Sequence, residues 1–255
     1  MPTQAASRSP LEQSALQAAA GPHWQVVLHD EVESTNALAA ADPVLGAVVV
    51  AEHQTAGRGR LDRVWQTPRG TSLTFSAVLN PRLEPRWWPL LPLMTGVALA
   101  RAIGSQVGLK WPNDAQIEGR KICGILVERV ESSVPLAVIG IGLNVNQVRE
   151  ELPVETATSL ALEGLQTDRT ALLARILDEL RGGLGQLQAD PHTLMAAYRE
   201  RSLTIGQQVR VLLPDGSDLV GTATDIADSG ELMVRSERGE TVGVHAGDVV
   251  HVRRL

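Results

Sequence analysis

Cysteine is nearly absent. Cys123 is the single one in 255 residues, so no disulfide can form within the chain, and no Cys/His cluster suggests zinc. Long apolar runs are absent too. Nothing approaches the roughly 20 residues that a membrane-spanning helix needs. Residues 1 to 20 lack the basic start and continuous apolar stretch of a secretory leader. Basic residues are in deficit, with 23 Lys and Arg against 29 Asp and Glu and a formal charge of −6. That balance argues against a broad nucleic-acid surface and confines any basic function to a local patch. No internal repeat or low-complexity segment stands out. These absences point to a cytoplasmic protein without a membrane or DNA partner. What remains is an ordinary globular composition, 44% hydrophobic and 20% charged, long enough for one large domain plus a small one.

Residues 1 to 22 are small and polar, with Pro2, Pro10 and Pro22, and read as a flexible tail with a short helix near Leu11 to Ala20. Strands are expected at "WQVVLHD" (24–30), "AVVVAEH" (47–53), "TSLTFSAVLN" (71–80), the short "LKWP", "KICGILVERV" (121–130) and "LAVIGIGLNV" (136–145), the last two adjacent. Helices are expected from "STNALAAA" (34–41), from about Leu91, over 168–187 and over 192–200. Ser34 or Thr35 is suited to cap the first of them. From Ser202 short strands alternate with turn signals such as "PDG" and "ADSG", which suggests a small antiparallel barrel. The expected division is a tail over 1–22, a catalytic α/β (α+β) domain on a mixed sheet over 23–203, and the barrel over 204–255.

The stretch "AEHQTAGRGRLDRVW" (51–65) leaves a buried strand and places Arg58, Arg60 and Arg63 among Gly57 and Gly59, with Asp62 the one acid from Gly57 to Arg63. Glycines allow close backbone approach, and arginines supply forked cations for carboxylate and phosphate. Such a loop is either a solvated turn paired with surface acids or an anion-binding loop that closes when the anion arrives. It is not a Walker A loop, since no GK[ST] follows, nor a dinucleotide fingerprint, since no helix pattern follows directly. "LKWPND" (109–114) either ends a strand in a simple Asx turn or fixes Asn113 and Asp114 beside Lys110. In the second case Lys110 could meet phosphate and Asp114 could assist magnesium through water. Strand alternation puts Lys121, Cys123, Ile125 and Val127 on one face and Ile122, Gly124, Leu126 and Glu128 on the other. In the next strand Gly140, Gly142, Asn144 and Asn146 share a face, which signals either tight packing or close approach of a ligand.

In this order, "ESTN", "AEHQTAGRGRLDRVW", "LKWPND", "GRKICGILVE" and "GIGLNV" together resemble the catalytic domain of the biotin–protein ligases. Each motif alone is weak; five in sequence over Val32 to Val145 are specific, and a weaker match runs through the C-terminal barrel. The resemblance implies a mixed-sheet catalytic domain followed by an SH3-like barrel. It implies synthesis of biotinyl-5′-AMP from biotin and ATP, with Mg2+, and transfer of biotin to one lysine of a biotin carboxyl carrier domain of acyl-CoA carboxylases. It places Ser34, Thr35, Asn36 and Gln54 on the ureido ring of biotin. Arg58, Gly59 and Arg60 would form the loop over the acyl phosphate, supported by Arg63. Lys121 would touch the biotin carboxylate and the α-phosphate, and with Arg60 it is the expected catalytic cation. Trp65 would pack near adenine, Gly124, Gly142 and Asn144 would line the site, and Lys110, Asn113 and Asp114 would serve the nucleotide.

Two positions depart from the family's pattern. Asp62 stands where the loop usually has glycine, removing conformational freedom and adding negative charge. Cys123 stands where alanine is common and reads as a packing residue. The 23 residues before Trp24 are too few for the DNA-binding domain that some members carry, so the expectation is a ligase without repressor function, monomeric or weakly dimeric. The rivals are a lipoate–protein ligase or acyltransferase of the same fold, a non-catalytic binder of biotin or adenylate, and a nucleic-acid-binding protein using the basic loop.

Overall fold

The computed structural model describes residues 8–213, 216–245 and 248–251. A seven-stranded sheet carries the first part of the chain. In chain order it comprises α1 (Gln13–Ala20), β1 (Gln25–Val32), α2 (Thr35–Ala41), β2 (Ala47–Gln54), β3 (Ser72–Leu79), α3 (Leu91–Ile103), β4 (Gly108–Lys110), β5 (Asp114–Ile117), β6 (Arg120–Val130) and β7 (Leu136–Asn144), followed by α4 (Arg169–Ala189) and α5 (Pro191–Glu200). The strand order is β1-β2-β3-β7-β6-β5-β4, with β1 and β2 parallel and the remaining pairs antiparallel. Five more strands, β8 (Gln208–Leu212), β9 (Asp218–Ile226), β10 (Leu232–Ser236), β11 (Thr241–Val244) and β12 (Asp248–His251), form a second, antiparallel sheet in the order β11-β10-β9-β8-β12, the small SH3-like unit.

The period of two in the strands decides what each face of the large sheet can do. Val48 and Val50, Leu73, Phe75 and Ala77, and Ile139, Ile141 and Leu143 belong to the main core, together with apolar residues of α3 and α4. On the alternate positions a much smaller core joins Val49, Val78 and Val138 to Ala39 of α2. Beyond it the same face carries Thr74, Ser76, Gly140, Gly142 and Asn144. These positions are small or polar, and no apolar helix could pack on them; the sheet leaves them for a site.

The segment 8–20 is packed, not loose. Leu11 and Leu16 are buried in the main core. Gln13 and Gln17, one helical turn apart, use their side-chain amides as a neighbouring strand would use peptides. Gln13 Oε1 accepts from Leu28 N and its Nε2 donates to Val26 O; Gln17 Oε1 accepts from Val26 N and its Nε2 donates to Trp24 O, at 2.7–2.9 Å. The open edge of β1 is thereby satisfied without a further strand. Residues 1–7 of the expected tail, and 252–255 of the expected last strand, lie outside the described residues.

Two other sequence expectations need correction. The turn expected at Asn113-Asp114 is immediately the start of β5, a strand not foreseen because Asn and Asp usually punctuate rather than open strands. Alternation also fails at the start of β6. Ala115 pairs with Cys123 but Gln116 pairs with Lys121, so Ile122 is an extra residue, a bulge. The bulge turns Lys121 toward the side of Gly124 instead of that of Cys123: a Cβ on Gly124 would lie 3.4 Å from Lys121 Nζ.

Candidate active site

A cavity of about 580 Å³ opens on the small-and-polar face. One end is neutral and heavily hydrogen-bonded. Ser34 caps α2 by accepting from Ala37 N. That fixes Thr35 and Asn36 in the first turn, both buried. Gln54 Oε1, at the end of β2, accepts from Thr35 N at 2.7 Å and Thr35 Oγ1 at 3.1 Å. Ser76 Oγ lies 2.8 Å from Thr35 Oγ1 and 2.5 Å from Asn36 Oδ1, and its one proton serves one of them at a time. Gly140 must be glycine here, since a Cβ would fall 2.1 Å from Asn36 Oδ1.

The other end is cationic. Arg58, Arg60, Arg63 and Lys121 share the lining with one acid, Asp114, among the described residues. Lys121 Nζ is 2.7 Å from Asp114 Oδ1 and 5.6 Å from the centre of the Trp65 ring. The backbone of Lys121 is clamped on its far side by residues 156–158, through Lys121 N to Thr156 O and Thr158 N to Lys121 O, both 2.8 Å. Asn113 Nδ2 donates to Ile125 O, which leaves Asn113 Oδ1 to accept from Arg60 at 3.3 Å.

The arginine loop is folded back over the cavity as a narrow hairpin. Trp65 N donates to Gly57 O, Gly59 N to Arg63 O, and Arg63 N to Arg60 O. Gly57 is obligatory: a Cβ would sit 2.2 Å from Trp65 O and 2.6 Å from Gln54 Nε2. At the tip Leu61, exposed, occupies the left-handed region at φ 55°, ψ 43°, a conformation that costs a non-glycine residue about 1 kcal/mol or more. The indole of Trp65 lies flat against the glycine stripe, where a Cβ on Gly142 would meet it at 2.5 Å and one on Gly124 at 3.2 Å. Its Nε1 is buried against Gly142 without a hydrogen-bond partner, a donor left unsatisfied in this position of the ring.

Of the residues nominated from the sequence, Ser34, Thr35, Asn36, Gln54, Arg58, Gly59, Arg60, Arg63, Trp65, Asn113, Asp114, Lys121, Gly124, Gly142 and Asn144 all line this one cavity; Lys110, on the far edge strand β4, does not. Gly140, placed by the period of two on the same face as Gly142 and Asn144, lines the cavity with them; sequence reasoning missed Thr74, which the same period through β3 could have found, and Thr156 and Ala157, for which no motif existed. Cys123 is fully buried on the opposite side of β6, and burial pushes its thiol well above its ordinary range. It fills space. Among the described residues no group of three or more His, Cys, Asp or Glu could hold a metal ion, and no helix is long and apolar enough to cross a membrane.

A mixed sheet with one face given to a pocket that is neutral at one end and cationic at the other defines a ligase of the biotin and lipoate type. Residues 30–146 match the biotin/lipoate A/B protein ligase family and residues 204–252 the biotin protein ligase C-terminal domain. The chain is 39% identical to the biotin–[acetyl-CoA-carboxylase] ligase of Mycobacterium tuberculosis, over 96% of its own length and 97% of that relative's. It is 34% identical to the bifunctional ligase/repressor BirA of Bacillus subtilis, covering 84% of this chain and 70% of that one. Among solved structures it is similar to the biotin protein ligase from Aquifex aeolicus in complex with biotin and ATP, with a TM-score of 0.77 and 29% identity over 90% of this chain and 99% of that one. The chain belongs to the biotin protein ligases.

Proposed function

We propose that this chain joins biotin to ATP as biotinyl-5′-AMP, releasing pyrophosphate, and then passes the biotinyl group to a lysine of a biotin carboxyl carrier domain of an acyl-CoA carboxylase. The observation that carries this reading is the placement of Lys121 by the β6 bulge, across from the arginine loop and in the same cavity as Thr35, Asn36 and Gln54. A carboxylate attacking an α-phosphate must approach another anion, and fixed cations between the two lower that barrier. Lys121, Arg58 and Arg60 are those cations. The neutral cluster offers donors and acceptors in the pattern a cyclic urea requires. In the second step the lysine amine of the carrier attacks the acyl carbon, the C–O bond to phosphate breaks, and AMP leaves with the charge held by the same side chains.

Residues 23–203 serve as the biotin- and ATP-binding unit and 204–255 as a C-terminal unit docked on it. Trp111 Nε1 donates to Gly230 O at 2.9 Å and Trp111 N to Thr204 Oγ1 at 3.0 Å. Trp65 is placed to stack on the nucleotide once the indole leaves the glycine stripe. Among the described residues Asp114 is the one carboxylate on the cavity wall, already bonded to Lys121, and the donor set suits a magnesium ion carried in by the triphosphate, whose water shell Asp114 would meet. The test is pyrophosphate–ATP exchange with biotin and, separately, with lipoate, followed by transfer to a purified carrier domain. Exchange driven by biotin alone supports the reading; exchange driven by lipoate, or none, overturns it.

A further inference from the structure

Glu128 lies outside the residues assigned above, yet one of its oxygens touches both ends of the site. Oε2 accepts from Asn36 Nδ2 at 2.7 Å and lies 3.3 Å from Arg58 Nη2. On the first side the geometry is tight. Asn36 is buried, its other amide proton points to Leu126 O at 3.3 Å, and its Oδ1 faces Ser76. With Gly140 against it, the amide has one orientation that satisfies every partner. Glu128 is the one charged group among those partners, and it fixes which end of the amide carries the donors. On the second side the pair is half-exposed, with Arg58 at 49% and Glu128 at 31%, a bond weak enough to adjust as an anion enters. Arginine has five donors, and holding one leaves four for an anion.

We propose that Glu128 is a positioning residue that aligns Asn36 at the ring end of the cavity and Arg58 at the anion end, so that the two halves of biotinyl-5′-AMP are held by side chains sharing one carboxylate. This rests on the reading of Asn36 as a contact of the biotin ring. Truncating Glu128 frees the buried amide to turn and frees the arginine to leave the cavity wall. Replacing it by glutamine keeps a carbonyl acceptor for Asn36 but discards the charge that holds Arg58.

The experiment measures the biotin Kd by calorimetry and the biotinyl-5′-AMP dissociation rate by stopped flow, on folded full-length protein. Glu128→Ala is expected to weaken biotin about tenfold, the scale of a buried donor left unpaired, and to speed adenylate release at least as much, since the adenylate loses both contacts. Glu128→Gln should restore biotin affinity while release stays about two- to fivefold faster than in the parent protein, the scale of a half-exposed ion pair. In an Arg58→Ala background, Glu128→Gln should add nothing further to the release rate. A purely structural defect would move both constants in both variants and would add in full to Arg58→Ala, and either result overturns the proposal. An Asn36→Ala variant that binds biotin normally overturns instead the reading of Asn36 on which it rests.

Discussion

The Lys121 ammonium lies 2.7 Å from the Asp114 carboxylate, on neighbouring strands brought into register by a one-residue bulge. Without the bulge Lys121 would point to the side of Cys123, into the main core. An unpaired ammonium there would be costly. The bulge therefore does two things at once: it keeps a charge out of the core and aims it at the cavity. Asp114 holds it there until a more strongly charged partner arrives.

Lys121→Ala is accordingly expected to reduce biotin-dependent pyrophosphate exchange by about 100-fold or more, the effect of removing one preorganised electrostatic donor. The melting temperature should change little, because the side chain is about one-third exposed. Near-normal exchange by folded protein would remove Lys121 from the chemistry.

Deleting residues 1–20 should destabilise the protein. The deletion takes Leu11 and Leu16 from the core and bares three backbone groups of β1 and the carbonyl of Trp24 just before it. It also removes contacts to a buried ion pair. Arg169 bonds both oxygens of Glu52, at 2.6 and 3.0 Å, and the same pair is held by Ser9 O and Leu11 N. Leu16→Ala alone should cost about 2–5 kcal/mol. Denaturant unfolding and size-exclusion chromatography decide the matter. A truncated chain as stable and as monodisperse as the full one would show that the segment contributes nothing.

Much of this site was legible because its chemistry is contiguous in sequence. "GRGR" and "STN" each sit within one turn of chain, and glycines recurring at every second residue of a strand mark a face. What stayed hidden is of another kind. Gln13 and Gln17 are unremarkable polar residues until the edge they cap is known. Ser76 and Thr74 sit in an apolar strand whose polar face acquires meaning only from α2 above it. Glu128 belongs to no cluster; its two partners are 92 and 70 residues away in sequence. The bulge at Ile122 changes no composition at all, so a period-two count could only place Lys121 on the wrong face. Lys110 was misplaced for another reason: it stays opposite Asp114 across β4 and β5, but β4 is the edge strand of the sheet, and the cavity lining stops at Asp114.

Gly142→Ala is expected to be severe for function while sparing the fold. The added Cβ would lie 2.5 Å from the Trp65 indole, so the ring must leave the glycine stripe. Tryptophan fluorescence should shift, and biotin affinity should fall because the methyl group occupies the floor of the slot. An unchanged emission spectrum together with an unchanged biotin Kd would show that the stripe is only packing.

Cys123 should be inert in the native protein. Burial raises its thiol pKa in the folded chain, so the unfolded chain ionises first, near the ordinary value of about 8.5. The resulting stability is complete below that pH and declines as pH rises above it. Reaction with a disulfide reagent at pH 8 should therefore proceed only as fast as the protein opens. Rapid labelling of folded protein would place the thiol at the surface.

The arginine loop should gate release of the adenylate. Without ligand it is closed by three backbone hydrogen bonds between Gly57 and Trp65, few for a segment with exposed Leu61 and Val64 at its tip. Leu61 in the left-handed region makes that closed form less favourable still. Arg58 meets Glu128 and Arg60 meets Asn113 at 3.3 Å, contacts that a bound anion can displace, and ordering each residue costs about 1–2 kcal/mol, so the closed hairpin should open readily until such an anion arrives. Biotin brings one carboxylate; biotinyl-5′-AMP adds a phosphate and a base, and should meet Arg58 and Arg60 together. Amide exchange over Gly57 to Val64 should therefore be fast in the free protein, slower with biotin and slowest with the adenylate. Arg60→Ala should speed escape of the adenylate more than it weakens biotin, since Arg60 faces Asn113 at the anion end and not the neutral cluster. Equal protection in all three states, or equal losses for the two ligands, would mean a rigid loop with no gating role.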